Sequence, residues 1–245
     1  MPNIKAIIEY DGTEFSGFQR QPSRRTVQGE LERALGELFR EQGVKVVGAG
    51  RTDAGVHAVG QVISFTSPAS FPVDRICPAL NGLLPASIRA KEVREVAESF
   101  HARYSAKART YRYVVLNRES PSALLARRVW HIIQPLDLAA MRAAAAELVG
   151  EKDFASFGMP ERVGGSTVRQ VFDCKIDRKK DAIIFVIRAN AFLRGMVRAI
   201  VGTLVEIGLS RRSPDDIRMM LSARDRRAVK ASAPPQGLYL TKIEY

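Results

Sequence analysis

The chain has 245 residues, 46% of them hydrophobic, which is enough to bury the core of one large domain or of two smaller ones. Lysine and arginine total 38 against 26 aspartate and glutamate, and the net charge of +12 favours a polyanionic partner. No apolar run reaches the roughly 18 residues of a membrane span and no signal peptide is recognisable, so we expect a cytoplasmic protein.

The basic residues are spread along the chain and do not form one tail. This distribution favours a basic surface that follows a folded nucleic acid over a disordered basic arm. A solvated basic surface without a partner is the alternative. The residues that carry the pattern in the first half are Arg20, Arg24, Arg25, Arg89, Arg94, Arg103, Lys107, Arg109 and Arg112.

Cysteine and histidine are too few and too scattered to suggest a metal site. Cys77 and Cys174 form no Cys-x-x-Cys pair, and we expect both to be buried reduced thiols. His57, His101 and His131 lie in three different segments without the spacing of metal ligands. We therefore expect no metal.

The first half of the chain predicts the element order β-α-β-β-α-β. Alternation from Ile4 to Tyr10 predicts a strand, and Thr26 is a candidate N-cap for the helix that follows. Strands are predicted at 44–47, 59–65 and 88–96, and helices at 27–39 and between residues 71 and 84. This is the order of a ferredoxin-like unit, an α+β fold with helices on one face of an antiparallel sheet.

The second half predicts a similar order without an obvious sequence repeat. Asp137 is a candidate N-cap of a helix over 138–149, and Gly150 is placed to end it. Strands are predicted at 110–116, 171–176, 183–189 and 238–245, and further helices at about 195–207 and from residue 213. The junction falls near 102–108. We therefore expect domains at 1–104 and 105–245, and two similar lobes predict a cleft between them.

A glycine-rich turn leads into the strand predicted at 59–65. From residue 48 it reads Gly-Ala-Gly-Arg-Thr-Asp-Ala-Gly-Val-His, and the strand then carries alternate residues from Val59 to Phe65 on one face. Glycine allows positive φ and a close approach of a ligand's backbone, so the turn is suited to present the carboxylate of Asp53. The alternative is an Asx-turn in which Arg51 is only a surface ion partner.

Six further segments of the sequence favour the functional interpretation of Asp53 over the Asx-turn. They are Tyr10–Gln21, Asn81–Pro85, Phe100–Tyr113, Leu148–Phe157, Phe192–Arg198 and Pro235–Leu240. Together with the Asp53 segment, which is the most specific, they resemble the TruA-type tRNA pseudouridine synthases in the same order. The resemblance spans the chain from the first strand to the last residues.

This resemblance implies a fold and a reaction. The fold is α+β, with two ferredoxin- or RRM-like lobes whose antiparallel sheets join around a central catalytic cleft. The reaction isomerises uridine to pseudouridine at positions 38, 39 and 40 of the tRNA anticodon stem-loop, in a homodimer whose two subunits both contact one tRNA. It breaks the bond between N1 and the ribose C1′, turns the base and rejoins it through C5, with no metal and no redox cofactor.

The resemblance also assigns roles to four residues. Asp53 matches the indispensable aspartate, whose carboxylate attacks either the ribose C1′ or the uracil C6. Arg198 matches the arginine that pairs with this aspartate, although the neighbouring Arg194 leaves open which arginine faces it. Tyr111 matches the tyrosine that stacks on the target base. Arg51 matches an arginine that helps to expel that base and contacts the RNA backbone.

Other polar residues are weaker candidates for tRNA contact. These are Gln19, Arg20, Gln21 and Arg169, each equally compatible with an ordinary surface role, whereas Tyr113 is expected in the core. Two rival functions remain open. A noncatalytic RNA-binding protein explains the charge but not the matching Asp53, Tyr111 and Arg198. A carboxylate enzyme acting on small nucleotides would be expected to carry a P-loop or a glycine fingerprint, and neither is present.

Overall fold

The computed structural model describes residues 1–68 and 70–245. In chain order the elements are β1 (Asn3–Tyr10), α1 (Val27–Phe39), β2 (Val47–Gly48), β3 (His57–Thr66), α2 (Val73–Leu83), β4 (Ile88–Val96), β5 (Ala108–Asn117), β6 (Trp130–Ile132), α3 (Leu138–Ala146), β7 (Gly150–Asp153), β8 (Val168–Lys179), β9 (Ala182–Ala189), α4 (Met196–Gly208), α5 (Asp216–Ala223) and β10 (Leu238–Glu244). Contacts group the residues into unit 1, Met1–Lys107 with Tyr239–Tyr245, and unit 2, Ala108–Leu238. Chain order alone would have placed the last seven residues with unit 2.

Unit 1 shows the predicted β-α-β-β-α-β order over residues 3–96. Strand β1 lies between β4 and β3 and is antiparallel to both. The opposite edge of β3 is shared, because β2 pairs with it near Ser64 and β10 pairs in parallel near His57. Every second residue of β1 from Ile4 is buried, as alternation predicted.

Local signals account for the first helix of unit 1. The hydroxyl of Thr26 accepts a hydrogen bond from Gly29 N at 3.2 Å, which confirms the predicted N-cap. Val27, Leu31 and Leu35 are fully buried on one face of α1. The helix therefore begins and packs as its sequence indicates.

Two predictions for the strands of unit 1 were wrong in detail. The predicted strand at 44–47 is displaced and only two residues long, because the backbone of Val46 bonds to side chains of α1. Gln28 Nε2 donates to Val46 O at 3.0 Å, and Val46 N donates to Glu32 Oε1 at 3.2 Å. In β3, residues 60–65 are all buried, so both faces are covered, not one.

Unit 2 is also built around an antiparallel sheet, in the order β5-β9-β8-β7, with β6 parallel to the end of β5. Asp137 Oδ1 accepts from the backbone N–H groups of Ala139 and Ala140, which confirms the predicted cap of α3. The helix ends at Ala146, earlier than predicted. Gly150 does not end it but opens β7 with a φ of 107°. Both units thus mix helices with mostly antiparallel strands, which confirms the α+β class.

Helix α4 is buried on nearly every side. Of its 13 residues, 11 are buried, and the two exceptions are Arg198 and Glu206. A helix with apolar residues all around is expected inside the protein. Arg198 therefore stands out as a polar side chain in the first turn of a core helix.

Two further predictions concern membrane and redox character. Among the described helices, none has the length and apolar composition needed to cross a membrane. Cys77 and Cys174 are both free thiols, as expected. Each residue is half-buried as a whole, but burial raises the pKa of the Cys174 thiol to about 12.

Candidate active site

The Asp53 turn connects β2 to β3 in unit 1. Ala49 N donates to Val62 O at 2.8 Å, which fixes the start of the turn to β3. Val56 N donates to Asp53 O at 3.1 Å, and between them Gly55 has a φ of 77°, a value that favours glycine. The half-buried Asp53 thus begins a tight four-residue turn.

A buried amide holds the backbone just before Arg51. Gln61 on β3 is fully buried, and its Nε2 donates to Gly50 O at 2.7 Å. Its Oε1 accepts from Gly50 N at 3.3 Å and from Val62 N at 3.2 Å. Both ends of the side-chain amide are therefore used to fix the position of one glycine.

Thr52 is held from the other side of the turn. Tyr10 Oη lies 2.8 Å from Thr52 Oγ1, and Phe18 N donates to Thr52 O at 3.0 Å. Burial raises the pKa of the Tyr10 phenol above its usual range, so the phenol stays protonated and can donate to Thr52. The residue next to Asp53 is thereby fixed through both its side chain and its backbone.

Two glycines of the Tyr10–Gln21 segment lie directly against this turn. A Cβ on Gly12 would lie 2.0 Å from Val56 O, and one on Gly17 would lie 2.7 Å from Thr52 O. Gly17 also has a φ of 91°, which other residues rarely adopt. The segment that resembled the family in sequence therefore supports the Asp53 turn by close backbone packing.

Replacing Gln61 with leucine should loosen the turn. The polar groups of Gly50 would lose their partners in a partly buried place, and we expect a loss of about 1–3 kcal/mol in the free energy of unfolding. The measurement is the urea midpoint, with Gln134→Leu as a control because Gln134 is exposed. An unchanged midpoint for the Gln61 variant would contradict the role given to this side chain.

Arg51 and His57 flank Asp53 and have different surroundings. Arg51 is exposed, and partial desolvation by neighbouring atoms lowers the pKa of its guanidinium. His57 is buried, accepts from Gly12 N at Nδ1 over 3.0 Å, and stacks on Tyr239 with ring centroids 4.8 Å apart. Across residues 1–68 and 70–245, no cluster of three or more His, Cys, Asp or Glu side chains could hold a metal ion.

Tyr111 lies on β5 in unit 2, paired in register with Ile187 of β9. Its side chain is buried, and its ring meets the ring of Phe192 edge to face at 5.0 Å. Tyr113, two residues along, is buried as expected for a core residue, and its Oη donates to Pro234 O at 2.7 Å. The two tyrosines share a face of β5 but have different neighbours.

Arg198 is anchored within unit 2 by a pair of hydrogen bonds. Its Nε donates to Ala233 O at 2.7 Å, and Ala233 N donates to the backbone oxygen of Arg198 at 2.9 Å. A Cβ on Gly202 would lie 3.0 Å from Ala233 N, so this segment packs closely on α4. Arg194 differs, because it precedes α4 and its side chain is exposed.

The weaker candidates are engaged in contacts of their own. Arg20 Nη1 lies 3.1 Å from Glu32 Oε2, and Gln21 Nε2 donates to Ser16 O at 2.8 Å. Arg169 Nη1 donates to the backbone oxygens of Ser166 and Val168. Gln19 is exposed. None of these contacts prevents the outer atoms of Arg20 or Gln19 from meeting a ligand.

Sequence reasoning missed the side chains that hold the turn, Gln61 and Tyr10. A signal was present for Gln61, because it is the polar residue on an otherwise apolar strand face. A buried amide in such a place needs partners, and the nearest backbone outside the sheet is the turn. Tyr10 gave no comparable signal, since a tyrosine ending a strand fits an ordinary core position.

Comparison with known proteins decides the family. The sequence model of a family described as tRNA pseudouridine synthase matches residues 6–105 and 144–245. This chain belongs to the tRNA pseudouridine synthase family. The matched ranges include Arg51, Asp53 and Arg198, whereas Tyr111 lies between them. The family inferred from the seven sequence segments is confirmed, and because pseudouridine synthases are isomerases, this protein is an isomerase.

Curated relatives match this synthase over its whole length. The tRNA pseudouridine synthase A of Moorella thermoacetica is 47% identical over 250 residues, and that of Acetivibrio thermocellus is 42% identical over 245 residues, each match covering 100% of both chains. The tRNA pseudouridine synthase A of Halalkalibacterium halodurans is 45% identical over 238 residues, which cover 97% of this chain and 90% of the relative.

Proposed function

We propose that this protein isomerises uridine to pseudouridine at positions 38, 39 and 40 of the tRNA anticodon stem-loop, acting in the cytoplasm as a homodimer. The observation that carries the proposal is the Asp53 turn, whose backbone is fixed by Gln61 before the carboxylate and by Tyr10 through Thr52. A reactive side chain lowers the activation barrier most when its backbone is already held in position before the substrate binds. Relatives named tRNA pseudouridine synthase A supply the substrate class.

In the proposed reaction the Asp53 carboxylate is the nucleophile. It attacks the ribose C1′ or the uracil C6, and the bond between N1 and C1′ breaks. The uracil turns and a bond forms between C5 and C1′. The bond between Asp53 and C1′ or C6 breaks, which restores the free carboxylate, and the proton on C5 is lost while N1 gains one. No atoms are added or removed overall, so the reaction needs no oxidant or reductant.

Arg198 is the cation assigned to the Asp53 carboxylate. A carboxylate that works in a closed site remains ionised only when an opposite charge compensates for its loss of water. Arg198 is partly buried in the first turn of α4, and its Nε is already fixed to Ala233 O. This anchoring supports Arg198 over the exposed Arg194.

Tyr111 and Arg51 are assigned to the RNA. Stacking on an aromatic ring is worth on the order of 1–3 kcal/mol per base, enough to retain a uracil detached from its sugar. Contact with Phe192 fixes the orientation of the Tyr111 ring. Arg51 is exposed beside the turn, where a planar guanidinium suits a phosphate and can occupy the space of an extruded base.

The two-lobe architecture belongs to the same proposal. Residues 1–104 would form the lobe that carries the Asp53 turn, and residues 105–245 the lobe that carries Tyr111 and Arg198, although the last seven residues group with unit 1. Each lobe would be ferredoxin-like, and the two would be joined around a catalytic cleft. The β-α-β-β-α-β order over residues 3–96 supports this for the first lobe.

The direct test is pseudouridine mapping on unmodified tRNA transcripts incubated with the protein. We expect product at positions 38–40, and none when those uridines are replaced by cytidine. Tight, salt-dependent binding without product would favour the noncatalytic RNA-binding protein. Product only at other positions would refute the assigned site on the tRNA. Sedimentation of the protein alone, in the same buffer, tests the homodimer.

A further inference from the structure

An exposed aromatic turn in unit 1 is left without a role by the proposed chemistry. It comprises His101, Arg103 and Tyr104, and we refer to these three side chains as the Tyr104 platform. Tyr104 is 72% exposed, which is unusual for a tyrosine in a globular protein. The rings of His101 and Tyr104 are stacked with centroids 4.4 Å apart, and Arg103 Cζ lies 5.6 Å from the centre of the Tyr104 ring.

The backbone that carries the platform is held by hydrogen bonds to other parts of unit 1. Ala102 is fully buried, its N donates to Ser64 Oγ at 3.2 Å, and its O accepts from Tyr245 Oη at 2.8 Å. The buried serine belongs to β3, and Tyr245 follows β10. The exposed Tyr104 ring therefore stands on a fixed support and not on a mobile loop.

The turn is also braced internally by His101. His101 Nδ1 accepts from the backbone N–H groups of Arg103 and Tyr104, each at 3.2 Å. His101 N donates to Ser105 Oγ at 3.1 Å, and Ser105 N donates back to His101 O at 3.0 Å. These bonds set the orientation of the aromatic rings before any ligand arrives, which lowers the entropic cost of binding.

The platform is connected to the strand pair that carries the Asp53 turn. Ala102 N donates to Ser64 Oγ of β3, and Ser64 pairs in register with Val47 of β2, the strand that leads into the turn. Tyr104 is also near enough to Arg51, two residues before Asp53, to affect the pKa of its guanidinium. Exposed aromatic rings flanked by guanidinium groups are the arrangement by which proteins bind unpaired nucleotides, since each ring takes a base and each cation takes a phosphate. A binding site for a protein partner would be expected to surround the ring with apolar side chains, whereas here the neighbouring side chains are arginines.

We propose that Tyr104 stacks on an unpaired RNA base next to the target uridine, while Arg103 and Arg51 contact the phosphates that flank it. The inference rests on the proposed function, because it assumes that an RNA strand reaches Asp53. It adds a positioning residue to that site. By holding a neighbouring base, Tyr104 fixes the path of the strand so that one uridine is presented to the turn.

The test uses anticodon stem-loop transcripts with 2-aminopurine next to the target uridine. Stacking quenches this base, so unchanged protein should lower its fluorescence on binding. Tyr104→Phe keeps the ring and should quench equally. Tyr104→Ala should lose the quenching, and the Kd and KM should rise about tenfold, within a range of roughly fivefold to a hundredfold, with kcat almost unchanged.

Phe172→Ala is the matched control, because Phe172 is also partly exposed under an arginine, with Arg188 Cζ 4.7 Å from its ring centre. It should leave the quenching intact. Equal quenching and affinity in the unchanged protein and Tyr104→Ala would overturn the proposal. The proposal would also be overturned if Tyr104→Ala sedimented as a smaller oligomer than the unchanged protein. That result would show that the platform is a contact between subunits.

The two proposals fail in different ways. If the unchanged protein makes no pseudouridine but quenches 2-aminopurine through Tyr104, the isomerase assignment fails and the platform remains. If pseudouridine forms equally well with and without the Tyr104 ring, and the affinity does not change, the platform fails and the isomerase remains.

Discussion

Replacing Asp53 with asparagine is expected to abolish pseudouridine formation while tRNA binding stays within a fewfold of normal. The amide has nearly the shape of the carboxylate but cannot serve as the nucleophile, so the single-turnover rate should fall at least about 10⁴-fold. The basic surface of the protein is untouched. The rate is measured on unmodified tRNA transcripts at saturating protein, with binding measured separately at fixed salt.

Asp74→Asn is the matched control for this experiment. Asp74 is an exposed residue in the first turn of α2 in the same unit, so the same chemical change is made away from the turn. We expect its rate to be normal. A rate for Asp53→Asn within tenfold of the unchanged protein would remove Asp53 from the mechanism and return the Asx-turn interpretation.

Replacing Arg198 with methionine should reduce kcat by about 10²-fold to 10³-fold, which is the usual loss when one electrostatic partner of a reacting group is removed. Methionine keeps much of the apolar stem, so the packing of α4 is largely preserved. The positive charge and the bond from Nε to Ala233 O are lost. Single-turnover rates and urea midpoints should be measured on the same preparations, so that a loss of stability is not mistaken for a loss of chemistry.

Arg194→Met provides the comparison for Arg198→Met. It removes the same charge from an exposed residue just before α4, and we expect a change in kcat of no more than a fewfold. The opposite ranking of the two variants would assign the cation to Arg194. Equal, small effects from both would show that neither arginine supports the nucleophile.

The sequence predicted best those elements that are set by local signals. The cap at Thr26, the cap at Asp137 and the alternation of β1 all depend on residues within one or two turns of chain, and all three were confirmed. The family was predictable for a related reason. Its segments are short and occur in a fixed order, so one chain is enough to show them.

Elements that depend on distant partners were predicted less well. β6 and β7 were not foreseen, because a strand of three or four residues is defined by its partner and not by its own pattern. Gly150 carries the signal for a helix end, but its positive φ is used to enter β7.

The same limit applied to the site. The turn and its carboxylate were visible in the sequence. The partners that fix the turn were not, since Tyr10 lies 42 residues from Thr52 and Gln61 lies 11 residues from Gly50 along the chain.

The discontinuity of unit 1 has a consequence for synthesis on the ribosome. Residues 1–107 emerge first, and the 131 residues of unit 2 are translated before the last seven residues, which carry all but the first residue of β10. At roughly 5–20 residues per second this takes on the order of ten seconds. Throughout that time β3 lacks its partner near His57 and Ala58, directly after the Asp53 turn.

The backbones of β3 and β10 pack very closely at this edge, because a Cβ on Gly60 would lie only 2.2 Å from Thr241 O of β10. An unpaired strand edge invites wrong pairing in a nascent chain. The support of the Asp53 turn is therefore completed only after translation has passed through the whole of unit 2, so a nascent chain released earlier would carry Asp53 on an unfinished sheet.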